Sequence, residues 1–197
     1  FWMNPNDGPG GTDPICLAQV TVAEGSGVSA AGVLQGRSVS GDDWSAVITW
    51  DSGGGGSGPA PPPSPPPSGG GGGSSNAVVT SLSSSKAGMT TYQLHTVLSA
   101  AQSNVYALAG TSDQTLVMPP AFQVAAPFGT DVGGVSPAFF PVNADSEFDS
   151  WLTVGSTDGS AGAALSTIGL GLDGWSLSAG VSADNGAVFW MNPNDGP

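Results

Sequence analysis

The chain has 197 residues, of which only 9% are charged, and its 15 acidic residues outnumber two basic ones to give a net charge of −13. Such an acidic balance argues against nucleic acid or an anionic membrane as a partner. The sequence contains no run of eighteen apolar residues, which is the length that would predict a membrane-spanning helix. Low charge with abundant Gly, Ser, Thr and Ala is typical of secreted and cell-surface proteins, so we expect an extracellular location.

The chain begins and ends with the same nine residues. Residues 1–9, Phe-Trp-Met-Asn-Pro-Asn-Asp-Gly-Pro, recur unchanged as residues 189–197. We call this sequence the nonamer. It indicates either one period of a tandem array or a circular permutant with a duplicated junction. Only one copy can fill a given position in one domain, so the other is expected either to fill the same position in a neighbouring unit or to be the overlap left when a polymer is cut into one-period chains. The candidate assembly residues are Phe1, Trp2, Phe189 and Trp190.

Both explanations require the sequence of residues 10–51 to follow residue 197. Residues 1–51 are therefore predicted to be the C-terminal part of one β-sandwich repeat, and residues 76–197 the N-terminal part of the next, which the 10–51 sequence continues. Residues 52–75 form the linker between them. About 165 residues remain outside the linker and the second nonamer, which is enough for one domain with a core.

The single cysteine, Cys16, lies in residues 15–22, whose β-branched alternation predicts a half-buried strand. One cysteine forms no internal disulfide. It is either a small buried apolar residue or the partner in a disulfide between neighbouring units.

Short β-rich segments separated by Gly, Pro, Asn, Asp and Ser predict an all-β chain. Their spacing favours a two-sheet sandwich of eight to ten strands, jelly-roll or immunoglobulin-like. In residues 44–50 the alternation predicts a core face made of Trp44, Ala46, Ile48 and Trp50. The predicted strands are residues 15–22, 33–39, 46–50, 89–98, 104–109, 115–118, 121–126, 148–154 and 187–191.

The linker carries a proline block between two glycine arms. Residues 59–68, Pro-Ala-Pro-Pro-Pro-Ser-Pro-Pro-Pro-Ser, predict a polyproline II rod of roughly 30 Å. The block resembles the Pro-Ser segments of hydroxyproline-rich glycoproteins of the extensin and pherophorin class. That resemblance implies hydroxylated, glycosylated residues, and the alternative is a bare spacer. The implied positions are Pro59, Pro61, Pro62, Pro63, Ser64, Pro65, Pro66, Pro67 and Ser68.

The sequence contains no arrangement typical of an active site. His95 is the only histidine and lies in a predicted strand, and no Gly-x-Ser-x-Gly elbow or phosphate-binding glycine loop is present. One His and one Cys do not make a zinc site. We therefore expect a non-enzymatic protein without an organic cofactor, and a structural role for His95.

Two acidic segments are candidate Ca²⁺ sites. In the first, Asp145, Glu147 and Asp149 alternate with other residues, which on a strand would place three carboxylates on one face with Phe148 turned inward. The second is the loop with Asp7 and Asp13. Bound Ca²⁺ would relieve the repulsion, and the alternative for each segment is a solvated turn.

The globular part resembles a repeated extracellular domain of large algal and protist surface proteins. The sequence segments that carry this resemblance are residues 127–134 and 147–155. The resemblance implies no catalytic residues. The sequence thus predicts a structural repeat of an extracellular fibre, wall or surface appendage, a homopolymer joined through shared or exchanged strands. The alternatives are a secreted adhesin-like module that binds carbohydrate or protein, and an engineered permuted domain.

Overall fold

The computed structural model describes residues 8–53, 76–160 and 164–191, which form two antiparallel sheets packed against each other. The predicted all-β, two-sheet sandwich is confirmed, with eleven strands in the described part where eight to ten were expected. The strands are β1 (Ile15–Ala23), β2 (Ser29–Arg37), β3 (Asp43–Asp51), β4 (Asn76–Ser81), β5 (Met89–Val97), β6 (Ala107–Gly110), β7 (Leu116–Met118), β8 (Trp151–Leu152), β9 (Leu165–Ile168), β10 (Val181–Ala183) and β11 (Gly186–Trp190).

The smaller sheet has the order β4-β5-β1-β8, and the larger has the order β10-β7-β2-β6-β11-β9, with β3 on the other side of β2. Strand β2 is the centre of the larger sheet. It pairs with β3 along its full length, and its second side is divided between β7 and β6. Strands β3 and β4 are therefore edge strands, and the linker connects them.

The sequence segments on the two sides of the linker contribute strands to both sheets. Strand β1 lies between β5 and β8, and β2 lies beside β6. Residues 8–53 and 76–191 thus combine into one sandwich within this chain. Their assignment to successive repeats of a longer chain stays a prediction, because strands of the same sequence from a neighbouring unit could fill the same positions.

The core lies between the sheets and follows the strand alternation. On β3, Trp44, Ile48 and Trp50 are 5%, 2% and 1% exposed, and Ala46 packs against the same cluster, so the predicted core face is confirmed. Apolar residues on the facing strand β1, including Leu17, complete the layer. Burial of these large side chains is the main stabilising term of such a sandwich.

Three predicted strands differ from the structure. Residues 121–126 form a loop in which Phe122 donates its backbone N–H to the Thr21 carbonyl at 2.8 Å without a continuing ladder. Residues 148–154 contain only the two-residue β8, and residues 104–106 precede β6.

Short 3-10 helices occur at Pro137–Phe139, Ala144–Phe148 and Leu172–Gly174. The described residues include no helix with the length and apolar character needed to cross a membrane.

Candidate assembly site

The two ends of the described chain lie on the same stretch of backbone, residues 103–106. From the C-terminal side, Trp190 donates its backbone N–H to the Tyr106 carbonyl at 2.8 Å. From the N-terminal side, the Pro9 carbonyl accepts the Val105 N–H at 3.0 Å, and Gly10 forms an antiparallel bridge with Asn104. Parts of both nonamer copies therefore dock on consecutive residues of this backbone segment, residues 103–106, which we call the nonamer slot.

The other side of the nonamer slot is held by β2. Ser103 donates its N–H to the Arg37 carbonyl at 2.7 Å, and Tyr106 donates to the Gln35 carbonyl at 2.8 Å. The Asn104 side chain accepts the Arg37 N–H at 2.8 Å. The indole of the buried Trp44 donates to the Asn104 carbonyl at 3.2 Å. These bonds fix the backbone of the slot independently of the residues that dock on it.

The slot accepts only glycine at two positions of the docked segment. A Cβ atom on Gly8 would meet the Val105 carbonyl oxygen, and one on Gly10 would meet the Ser103 carbonyl oxygen, both far inside van der Waals contact. A larger residue at either position would push the segment away from its hydrogen-bond partners. The sequence Gly-Pro-Gly at residues 8–10 is thus matched to this backbone.

The predicted assembly residues in the C-terminal copy lie beside the slot. Phe189 is 6% exposed and forms a small apolar cluster with Tyr106 and Ala107, against which the half-buried Trp190 and Met191 pack. Phe189 and Trp190 therefore stabilise the end of β11 within this chain. The other two predicted assembly residues, Phe1 and Trp2, lie outside the described residues.

A charged group adjoins this cluster. The Tyr106 hydroxyl lies 3.4 Å from the Asp43 carboxylate, which is also 3.4 Å from the Arg37 Nε atom. Burial, reinforced by the negative charge of Asp43, raises the pKa of Tyr106 above its usual range. The phenol consequently stays neutral, and its hydroxyl donates a hydrogen bond to the Asp43 carboxylate.

The larger sheet carries an apolar row on the face that points away from the core. Val47, Val33, Ala109, Ala187 and Ile168 are neighbours in register across five strands. Val47 and Ile168, at the two ends of the row, are 43% and 55% exposed, whereas Val33 in the middle is 8% exposed. Only the two ends of the row are open to solvent, so the row is not a continuous exposed apolar patch.

The structure separates the three carboxylates of the first predicted Ca²⁺ site. Asp145 pairs with Lys86 at 2.5 Å, and the Glu147 carboxylate accepts a hydrogen bond from Ser84 at 2.6 Å. The predicted strand is wrong here: residues 144–148 form a 3-10 helix that begins after Asn143, whose side chain accepts the Asp145 N–H. The turn removes the alternation that would have aligned the carboxylates. Phe148 is buried, as expected.

The third of these carboxylates, that of Asp149, is fully buried. Its two oxygens accept the backbone N–H groups of Val124 and Thr130, each at 2.7 Å. Its own carbonyl accepts a hydrogen bond from the Gln19 side chain at 2.8 Å. Burial raises the pKa of Asp149 to about 6, although the backbone hydrogen bonds act in the opposite direction. Asp149 thus anchors the loop of residues 121–132 to β1.

Metal binding at the predicted acidic residues stays a prediction. Within the described ranges, no group of three His, Cys, Asp or Glu side chains is close enough together to hold a metal ion. Asp13 is exposed to solvent, and Asp7 lies outside the described residues. The predicted glycosylation positions, Pro59 to Ser68, also lie outside them.

The two candidate reactive side chains are buried. Cys16 is 1% exposed, its thiol donates to the Ala18 carbonyl at 3.7 Å, and burial raises its pKa to about 12. His95 is 8% exposed, and burial lowers its pKa. A thiol with this pKa is not a nucleophile at neutral pH.

The nonamer slot is not recognisable from the sequence, because residues 9 and 10 dock on residues 105 and 104, which lie far from them along the chain. Comparison of the chain with protein-family models, curated proteins and solved structures gives no match.

Proposed function

We propose that this chain is a structural tandem-repeat unit of an extracellular fibre, wall or surface appendage. The observation that carries the proposal is the agreement between the sequence period and the folding unit. The nonamer returns after 188 positions, from Phe1 to Phe189, and one such period holds one sandwich and one linker. An array built in this way repeats folded units at regular intervals.

The positions of the linker ends support this arrangement. Asp51 and Ser52 at the end of β3, and Ala77 and Val79 on β4, line one groove of about 470 Å³ between the two edge strands. The described residues on the two flanks of the linker therefore lie on one side of the sandwich. In an array, where each linker would run from β3 of one sandwich to β4 of the next, a semi-rigid proline block would hold neighbouring units apart.

The test is the intact mass of the natural product. A ladder, or a multiple of the 188-residue period, is expected, together with recovery of single sandwiches when a protease cuts the linker. A product of one period only would overturn the proposal. Pentose or hexose additions on the 59–68 peptide would in addition support a sheathed linker, and unmodified proline throughout would leave a bare spacer.

The alternative is a secreted module that binds carbohydrate or protein. The feature that favours it is the same groove, where the half-buried Tyr92 and Asp51 offer an aromatic ring beside an acidic group. Trp44, Trp50 and Trp151 are at most 5% exposed and cannot stack on a sugar ring. Binding of a glycan panel that Tyr92→Ala abolishes would support this alternative, and no binding would count against it.

A further inference from the structure

Two separate segments lie in one line along the same partner backbone. Strand β11 pairs antiparallel with β6 from Gly186 opposite Gly110 to Phe189 opposite Ala107, and Trp190 then bonds to Tyr106. The next two positions of the partner, residues 105 and 104, are occupied by residues 9 and 10.

The direction of the two segments is also the same. Along β11 the residue numbers rise as those of the partner fall, and the same holds from Pro9 to Gly10. Together they have the course of one strand that is interrupted between Trp190 and Pro9. In sequence, Pro9 is the repeat of Pro197, which follows Trp190 by seven positions.

We propose that in an uninterrupted array a single nonamer fills the whole slot. Its Phe-Trp ends β11, and its final Pro and the following Gly dock beside residues 105 and 104, with six residues of sequence between the two docked parts. The inference rests on the proposed function and specifies it: each sandwich is closed by its own nonamer, and units are joined by linkers without strand exchange.

Proximity favours the nonamer of the same sandwich as the occupant of the slot. Trp190 is already bonded to residue 106, and Met191 donates its N–H to the Ala164 carbonyl on the opposite side. In sequence, Pro197 follows Trp190 by only seven positions. A short tether gives a high effective concentration, which disfavours a second copy as the donor.

The first experiment uses a permuted chain in which residues 76–197 are followed directly by residues 10–53. This chain has one nonamer. The permuted chain is expected to be monomeric by light scattering. Its circular dichroism spectrum should match that of the 197-residue chain, here called the parent, and its melting temperature should lie within about 5 °C of the parent's. A strand-exchanged dimer or larger species would show that a second copy supplies the segment and would overturn the proposal.

The second experiment compares the same substitution in the two copies. In the parent, Gly8→Ala is expected to lower the melting temperature by about 4–8 °C, because the added Cβ meets the Val105 carbonyl, while Gly196→Ala leaves it unchanged. In the permuted chain, Gly196→Ala is expected to acquire the full effect. If it stays silent there, or if Gly8→Ala is silent in the parent, the proposal is wrong, even if the permuted chain folds poorly.

These outcomes are separable from those of the proposed function. The mass ladder reports whether natural units are repeated, whereas the glycine pair reports which segment fills the slot. Suppose that the natural product gives a mass ladder but that Gly196→Ala does not change the melting temperature of the permuted chain. The array would then be supported, and closure of each sandwich by its own nonamer would be rejected.

Discussion

Trp50 donates its indole N–H to the carbonyl oxygen of His95 at 2.8 Å, and this hydrogen bond runs from the larger sheet to the smaller one. Trp50 is also among the largest fully buried side chains. It therefore joins the two sheets by both packing and a directed bond.

Trp50→Phe is expected to lower the free energy of unfolding by about 2–4 kcal/mol, because it removes this bond and leaves a cavity. Denaturant titration measures the change. Val142→Ala, at a side chain that is 71% exposed, is the control and is expected to change stability by less than about 0.5 kcal/mol. Equal effects of the two substitutions would contradict the role of Trp50.

The imidazole of His95 makes stability depend on pH. Burial lowers its pKa, and its Nδ1 atom has no hydrogen-bond partner among the described residues. The neutral form is therefore favoured in the folded state, so the stabilisation is present above the unfolded pKa of about 6.5 and is lost as pH falls through the lower folded value. The free energy of unfolding, measured by denaturation at pH 7.5 and pH 5, is expected to decrease less between these two pH values in His95→Gln than in the unmodified chain. An equal decrease in both proteins would contradict the role of His95.

Asp149 acts in the opposite direction. Its folded pKa is raised to about 6, so its contribution is present below the unfolded value of about 3.9 and is lost as pH rises through 6. Asp149→Asn is expected to cost stability at low pH, because the amide can accept only one of the two backbone N–H bonds, and to become relatively less costly as pH rises to 7. Asp184→Asn, at an exposed position, is the control for removing one charge. If Asp149→Asn lowered the free energy of unfolding by the same amount at every pH, the raised pKa of Asp149 would be refuted.

Cys16 is expected to resist thiol reagents in the folded protein, because its side chain is buried and burial raises its pKa to about 12. One thiol per chain is expected to react in guanidinium. Rapid labelling under native conditions, or a dimer on a non-reducing gel of the native protein, would favour the intermolecular disulfide.

The parts of the fold that sequence predicts are those with local alternation. On β3 the period of two places Trp44, Ile48 and Trp50 on one face, and packing agrees with it. Strand β4 carries no such pattern in Asn-Ala-Val-Val-Thr-Ser and is recognisable only from its pairing with β5. Residues 121–126 have a strand-like composition, but they find one hydrogen-bond partner on β1 and no ladder.

The candidate site was predictable only in part. The repeated nonamer indicates a junction, and Phe189 and Trp190 lie beside the nonamer slot, while their role in assembly stays a prediction. That Gly8 and Gly10 dock on residues 103–105 depends on a long-range pairing that no local pattern encodes. Asp145 and Glu147 show the converse, since a strand-like alternation is broken by a short helix capped by Asn143.

The groove between β3 and β4 has a mechanical consequence. In an array under tension, force would enter each sandwich at the start of β4 and leave it at the end of β3, and residues from both places line this groove. Load applied at adjacent points peels edge strands one hydrogen bond at a time and does not shear a whole ladder at once. Strands β3 and β4 would therefore be the first parts of each sandwich to carry the load in such a fibre.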